Sequence, residues 1–249
     1  MSFGVHFSGK EPQILAEERG APIVIWQCSQ TECAFRFPDS SQLLVDGKKR
    51  PCPVCGGELL DTGTRSQNYP PTPQPYPSGF SLSLLLDNVR SAYNVGSIFR
   101  TADSARVQQL YLCGMTPNPT HKGVGKTALG AEQTIAWQAF PNAVQVADVL
   151  LAQGQALWAV ECTPTAQSVF TVPTPIRPTV LVLGNEVAGV DPDLLARCER
   201  TVYVPMWGQK ESLNITVATG IALFALLFAK GTATQSGEAG CVADGISET

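Results

Sequence analysis

Residues 81–105 read SLSLLLDNVRSAYNVGSIFRTADSA. The first seven, SLSLLLD, are apolar at neighbouring positions, the pattern of a strand covered on both faces. After a short turn, SAYNVGSIFRTADSA (91–105) reads as a helix. A buried strand running into a helix is the opening of a β-α-β unit, and the alternation continues down the chain. QQLYLCG (108–114), QALWAVEC (155–162), TVLVLG (179–184) and TVYVP (201–205) are expected strands. NAVQVADVLLAQ (142–153), DPDLLARC (191–198) and SLNITVATGIALFALLFAK (212–230) are expected helices, with Asn142 and Asp191 as caps. The expected fold over 80–230 is therefore α/β, a mostly parallel sheet flanked by helices. Ligands in such folds sit beyond the carboxyl ends of the strands, so the residues just after each strand are the place to search.

Upstream the composition changes. Residues 66–79, SQNYPPTPQPYPSG, hold five prolines. Proline fixes φ and lacks a backbone donor, so an extended, semi-rigid linker is expected there. Before it, residues 1–65 form a short module holding Cys28, Cys33, Cys52 and Cys55. Cys113, Cys162, Cys198 and Cys241 are scattered. A Cys-x4-Cys pair followed by a Cys-x2-Cys pair provides four thiolates, the donor set of a structural Zn²⁺, and resembles a zinc ribbon. A metal would offset the thin core of so small a domain, with Trp26, Phe35 and Phe37 covering the site. The competing readings are four unrelated buried cysteines or a redox pair, and the latter lacks its β-α-β setting. Lys48, Lys49 and Arg50 either touch phosphate or form a solvated loop.

The formal net charge is −4, with 44% hydrophobic and 15% charged residues. That argues against a surface coated in basic residues, though a local patch can still contact RNA phosphates. The beginning, MSFGVHFSGKEP, lacks the pattern of a signal peptide, and Ile215–Ala229 is short for a membrane span. A cytoplasmic protein without a membrane partner is expected, in which cysteines serve metal binding or packing. The small polar residues of 231–249 lead us to expect a disordered tail.

Three segments carry a resemblance. The first is DNVRSAYNVGSIFRTAD (87–103), the second LGNEVAGV (183–190), and the third VPMWG (204–208) followed by ESLNITVA (211–218). KTALGAE (126–132) adds a weaker match. In this order and spacing they resemble the SpoU (TrmH-like) branch of the SPOUT RNA methyltransferases, over roughly 80–230. The resemblance implies S-adenosylmethionine as methyl donor, a ribose 2′-hydroxyl of tRNA or rRNA as acceptor, a C-terminal trefoil knot and a homodimer. It implies donor-binding positions at Thr163, Leu183, Gly184, Asn185, Gly189, Val204, Pro205, Met206, Ser212 and Leu213. It implies catalytic positions at Asn94, Arg100, Glu186, Ser212 and Asn214. The very apolar last helix fits either a dimer interface or an ordinary core.

The residue types make sense beside that resemblance. Arg100 presents a planar fork suited to phosphate, or else makes a surface ion pair. Asn94 either caps its helix or faces the same cleft as Arg100. Glu186 accepts from substrate, orients Arg100, or compensates a helix N-terminus. Ser212 is a helix cap, a substrate contact, or both. Methyl transfer from a sulfonium is an in-line displacement that depends on positioning. No His stands in the three motifs, and a guanidinium is a poor base. Arg100 is therefore expected to stabilise the emerging alkoxide or a neighbouring phosphate. Two alternatives are an RNA-binding protein with a non-catalytic knot, and a methyltransferase acting on a base.

GVGKT (123–127) imitates a phosphate-binding loop, but Thr120 stands where that loop needs glycine. We expect 116–127 to be a mobile loop in which His121, Lys122 and Lys126 contact RNA.

Overall fold

The computed structural model describes residues 23–40, 44–45, 48–49, 51–65, 81–210 and 212–228. The expected linker at 66–79, the tail at 231–249 and Arg50 lie outside the described residues. The chain divides into two compact units, Met1–Pro75 and Tyr76–Thr249.

In the first unit, β1 (Ile23–Cys28) pairs antiparallel with β2 (Arg36–Ser40) on one side and, across a register shift between Val24 and Trp26, with β5 (Leu59–Arg65) on the other. Between β2 and β5, β3 (Leu44–Val45) and β4 (Lys48–Lys49) pair with each other. Alternate residues of β1, Val24, Trp26 and Cys28, face a small core with Cys52 and Leu59. Phe37 packs against that core, and Phe35 stacks on Phe37 at 5.3 Å.

The second unit is built on a seven-stranded sheet. Its elements are β6 (Leu82–Asp87), α1 (Ala92–Ser104), β7 (Gln109–Cys113), α2 (Lys122–Ala128), α3 (Ala131–Thr134), β8 (Ala136–Phe140), α4 (Ala143–Ala152), β9 (Ala156–Val160), β10 (Gln167–Ser168), β11 (Thr179–Leu183), α5 (Pro192–Leu195), β12 (Arg200–Tyr203) and α6 (Ile215–Phe228). The strand order is β10-β12-β9-β11-β6-β7-β8, and every pairing is parallel. The central strands β6 and β11 are buried at every position, which explains their unbroken apolar runs.

Alternate strand residues feed two cores. Leu84, Leu86, Leu110, Leu181 and Leu183 pack under α1, α2 and α6 through Val95, Phe99, Val124, Leu223 and Leu226. Leu85, Leu157, Val180 and Val182 face the other side, where Val146, Ala147 and Leu150 of α4 and Leu194 of α5 cover them. Both faces are thus sheathed in helices, as an all-parallel sheet requires.

The structure departs from the sequence expectations at several elements. Residues 122–128 form a helix, not part of a loop. His121 Nδ1 accepts from the Gly123 amide at 3.0 Å and starts it, and Leu129 ends it in the left-handed region at φ 53°. Of its two glycines, which argue against a helix locally, Gly123 serves the crossing with α1: a Cβ there would stand 2.9 Å from that of Ala92. β8 has no counterpart in the sequence reading. It is a sheet edge with mostly exposed residues, so it carries no apolar run. The helix expected from Ser212 begins at Ile215, and the one expected at 191–198 is only four residues long. Asn142 and Asp191 cap α4 and α5 through the amides of Gln145 and Asp193.

Candidate active site and metal centre

The strand ends of the second unit converge on two adjoining features. The first is a hydrogen-bonded cluster. Ser91 caps α1, accepting from the Asn94 amide at 3.3 Å, so Asn94 lies in the first turn and is not itself the cap. Its side-chain Nδ2 donates to Glu186 Oε1 at 3.0 Å. The same carboxylate accepts from the Ser91 amide at 3.3 Å and, through Oε2, from the Arg90 amide at 3.0 Å. Glu186 therefore compensates a helix N-terminus, but that of α1, 92 residues away in sequence from Asn94. Asn214 Nδ2 donates to Asn94 Oδ1 at 3.3 Å, which fixes which way the Asn94 amide points.

Asn214 is also the cap of α6. Its Oδ1 accepts from the Thr216 amide at 2.8 Å. That role belongs to Asn214 and not to Ser212, which is exposed two residues earlier. Asparagine suits both tasks because its oxygen caps while its nitrogen donates.

Burial alone pushes the Glu186 carboxyl up. The donors, led by the Arg90 amide, outweigh it and hold the group below its ordinary value. A carboxylate so saturated is a weak proton acceptor, and its structural role is to hold Asn94.

Glu186 is itself placed by a short reverse turn. Asn185 and Gly189 form an isolated antiparallel bridge. Asn185 Oδ1 accepts from the amides of Val187 and Ala188 at 2.9 and 3.0 Å, and its Nδ2 donates to the Asn88 carbonyl at 2.7 Å. Gly184 has to be glycine, because a Cβ there would overlap the backbone of Gly189 and Val190. Gly189 has φ +72°. Behind the turn, Asp87 accepts from Asn88 Nδ2 and the Asp191 amide, and burial holds its carboxyl above the ordinary range.

Arg100 lies six residues beyond Asn94 on α1, roughly 9 Å along the axis and about 120° around it. Its side chain is exposed, and among the described residues it makes no hydrogen bond or ion pair. Glu186 thus does not hold Arg100, contrary to one of the roles expected for it. Lys122 and Lys126 are exposed on α2, which packs on the first turn of α1 where Thr127 Oγ1 donates to the Tyr93 carbonyl at 2.9 Å. His121 is spent as the cap of that helix.

The second feature is a cavity of about 160 Å³ between the ends of β9 and β12 and the start of α6. Val160, Glu161, Cys162, Tyr203, Val204, Met206, Ser212, Leu213 and Ala218 line it. Four of the expected donor-binding residues, Val204, Met206, Ser212 and Leu213, are among them. Leu183, Gly184, Asn185 and Gly189 instead build the neighbouring turn, and Thr163 and Pro205 lie just beyond the lining strand ends. Glu161 escaped the sequence reading. Its signal was its place at the end of the expected strand 155–162. The mainly apolar walls and strand-end position are those of a small-molecule binding site in an α/β fold.

In the first unit, the Sγ atoms of Cys28, Cys33, Cys52 and Cys55 all lie within 4.8 Å of one another. Cys28 and Cys55 are 3.4 Å apart, and Cys33 and Cys52 3.8 Å. A tetrahedral Zn²⁺ with bonds of about 2.3 Å spaces its sulfurs about 3.8 Å apart. The amides of Gln30 and Gly57 approach Cys28 and Cys55 Sγ at 3.4 Å. Those of Phe35 and Val54 donate to Cys33 and Cys52. Each sulfur thus has a donor two residues on, an arrangement that stabilises thiolates. Ala34 and Gly56 have positive φ and make the two matching turns. A Cβ on Gly57 would press on both Cys28 and Cys55 Sγ, so the sequence Cys-Gly-Gly is what the close packing demands. The four residues fit a tetrahedral metal.

An all-parallel, doubly covered sheet with a cavity and a polar cluster at its strand ends defines an α/β ligand-binding domain. Comparison with known proteins makes this specific: residues 81–224 match the SpoU rRNA Methylase family, and the chain belongs to that family. It is 34% identical over 149 residues to the 23S rRNA (guanosine-2'-O-)-methyltransferase RlmB of Pseudomonas aeruginosa, covering 60% of this chain and 59% of that protein. It is 32% identical over 144 residues to the tRNA (guanosine(18)-2'-O)-methyltransferase of Aquifex aeolicus, covering 57% and 67%. The chain thus spans only about three fifths of the length of RlmB. Among solved structures, the SpoU methyltransferase AviRb from Streptomyces viridochromogenes in complex with AdoMet superposes with a TM-score of 0.55 at 26% identity, over 61% of each chain. The A. aeolicus TrmH/SpoU tRNA modifying enzyme gives 0.54 at 29% identity, over 59% of this chain and 74% of that one.

Proposed function

We propose that this protein transfers a methyl group from S-adenosylmethionine to a ribose 2′-hydroxyl of a structured RNA, tRNA or rRNA. The observation that carries the proposal is the Asn214–Asn94–Glu186 chain. It joins one residue from each of the three motifs beside a cavity suited to the donor.

When bound, S-adenosylmethionine supplies an electrophilic methyl on a sulfonium. Val204, Met206 and Leu213 would hold its adenine, with Ser212 at the cavity edge and the Gly184–Gly189 turn, Thr163 and Pro205 framing it. Asn94 has one amide hydrogen left after bonding Glu186, free to bind the acceptor nucleotide. Arg100, whose side chain has no partner among the described residues, supplies the cation that stabilises the developing alkoxide or the adjoining phosphate. Glu186 holds Asn94 and does not take the proton, which leaves to water or to phosphate. Lys122 and Lys126 extend the cationic surface from α2, and His121, with Nδ1 committed to its cap, can contribute only through its other ring face or nitrogen. The exposed Trp207, in the loop between β12 and α6, offers a face on which an unstacked base can lie.

We propose a structural Zn²⁺ at Cys28, Cys33, Cys52 and Cys55, and a role for that module, with Lys48, Lys49 and Arg50, in choosing the RNA. We propose that β11 to α6 form the trefoil knot. The exposed Val217, Phe224 and Phe228, at i, i+7 and i+11 on α6, support a homodimer. No helix among the described residues is long and apolar enough to cross a membrane. We propose that the protein works in the cytoplasm.

The test is to compare RNA from cells with and without the active gene. Nucleosides should show a 2′-O-methylated residue that depends on Arg100. A methylated base in its place would support the base-methylating reading, and no difference would support the non-catalytic one.

A further inference from the structure

We infer that Glu161 is the residue by which this site tells the methyl donor from the demethylated product. The inference rests on the donor assignment proposed above. Glu161 follows the end of β9 and lines the cavity. Among the described residues that line it, Glu161 is the one charged side chain, and no Lys, Arg or His accompanies it.

Its carboxylate is held in place. Oε1 accepts from the Cys162 amide at 2.9 Å and Oε2 from the Val190 amide at 3.0 Å. Gly189 makes the room, since a Cβ there would stand 2.6 Å from Oε2. The carboxylate thus sits at the base of the Asn185–Gly189 bridge, the turn that carries Glu186 into the Asn94 cluster. The reacting sulfur has to approach that cluster, so the fixed negative charge stands on the side where the sulfonium must lie. A carboxylate pinned by two backbone amides acts with little of the entropy loss that weakens surface charge pairs, though solvent partly screens it.

Transfer changes the ligand in one respect that matters here. The acceptor oxygen's electron pair forms the new C–O bond, and the C–S bond breaks with its pair kept by sulfur. The hydroxyl proton passes to water or phosphate. The sulfonium becomes a neutral thioether, while adenine, ribose, ammonium and carboxylate are unchanged. Apolar walls discriminate a missing methyl only modestly. A carboxylate discriminates a missing positive charge more strongly, favouring donor over product and hastening release. Positive charge spreads as the transition state forms, so the attraction acts on donor binding more than on the chemical step.

The test is calorimetric titration of the full chain and Glu161→Gln with three ligands: S-adenosylmethionine, S-adenosylhomocysteine, and the analogue with a protonated amine in place of the sulfonium. Glutamine keeps the shape and one oxygen for the Val190 amide. The substitution should weaken both cationic ligands about tenfold, as loss of one partly screened charge contact predicts, and the neutral product less than about twofold. Equal weakening of all three would reduce Glu161 to a brace for the Gly189 turn and overturn the inference. Should the variant not fold, the unaltered chain decides: the amine analogue must bind more tightly than S-adenosylhomocysteine, and the reverse order overturns the inference. If the unaltered chain binds none of the three, the donor assignment itself falls, and this inference with it.

Discussion

Glu186→Gln separates a carboxylate that anchors from one that takes a proton. Glu186 receives the Ser91 amide and Asn94 Nδ2 on one oxygen and the Arg90 amide on the other. Glutamine placed with its oxygen toward Asn94 keeps the first two and opposes its own N–H to that of Arg90. One charge-assisted bond is lost and the charge at the start of α1 disappears. For a cap-like group at a partly exposed site we expect about 1–2 kcal/mol, discounted for solvent from the buried-ion range. In a domain of this size that lowers the melting temperature by about 3–6 °C. The pH dependence has a definite sign. The folded-state value lies below the ordinary one, so the wild-type advantage is full above the unfolded value near 4.5 and shrinks as pH falls through the folded value. Denaturant unfolding from pH 7 downward should show the two curves converging in acid. Methyl incorporation from labelled S-adenosylmethionine should drop less than about tenfold, since Asn94 keeps its acceptor, whereas Glu186→Ala should lose about 100-fold or more. A general base contributes about 10²–10⁴-fold. A Gln variant with normal melting behaviour and a loss of that size would refute the anchoring role.

Arg100→Lys should reduce turnover about 100-fold while leaving calorimetric donor affinity unchanged, because a point charge does not reproduce the guanidinium fork; near-normal turnover would remove Arg100 from its proposed role. Gly184→Ala should destabilise by about 2 kcal/mol or more, since its Cβ meets backbone atoms that no rotamer change can move, and circular dichroism melting would register this. The purified chain should carry about one zinc per molecule by elemental analysis. Cys52→Ser should lose it together with one cooperative unfolding transition, and a chain that folds normally without metal would count against the zinc site.

Much of the second unit was legible because parallel strands covered on both faces leave unbroken apolar runs, as in SLSLLLD and TVLVLG. Caps such as Asn142 and Asp191 were legible because their chemistry is local. α2 was not, because Gly123 lowers local helix propensity and is explained only by the approach of Ala92 from α1. β8 was not, because an exposed edge strand carries no apolar signal.

The same division runs through the site. Sequence by itself determined the α/β class, the three ordered motifs and the four cysteines at metal-ligand spacing, since each depends on periodicity, residue type or separation along the chain. Only the tertiary structure decided that Asn94, Glu186 and Asn214 share one hydrogen-bond chain, that Arg100 stands apart from Glu186, and that Glu161 lies in the cavity wall with its carboxylate held by the Cys162 and Val190 amides. Those facts depend on strand ends brought together across the sheet, where contacts span some 90 to 120 residues. No local pattern encodes which of a carboxylate's possible donors will reach it first; that is set by the packing that delivers α1, the Asn185–Gly189 turn and α6 to the same place.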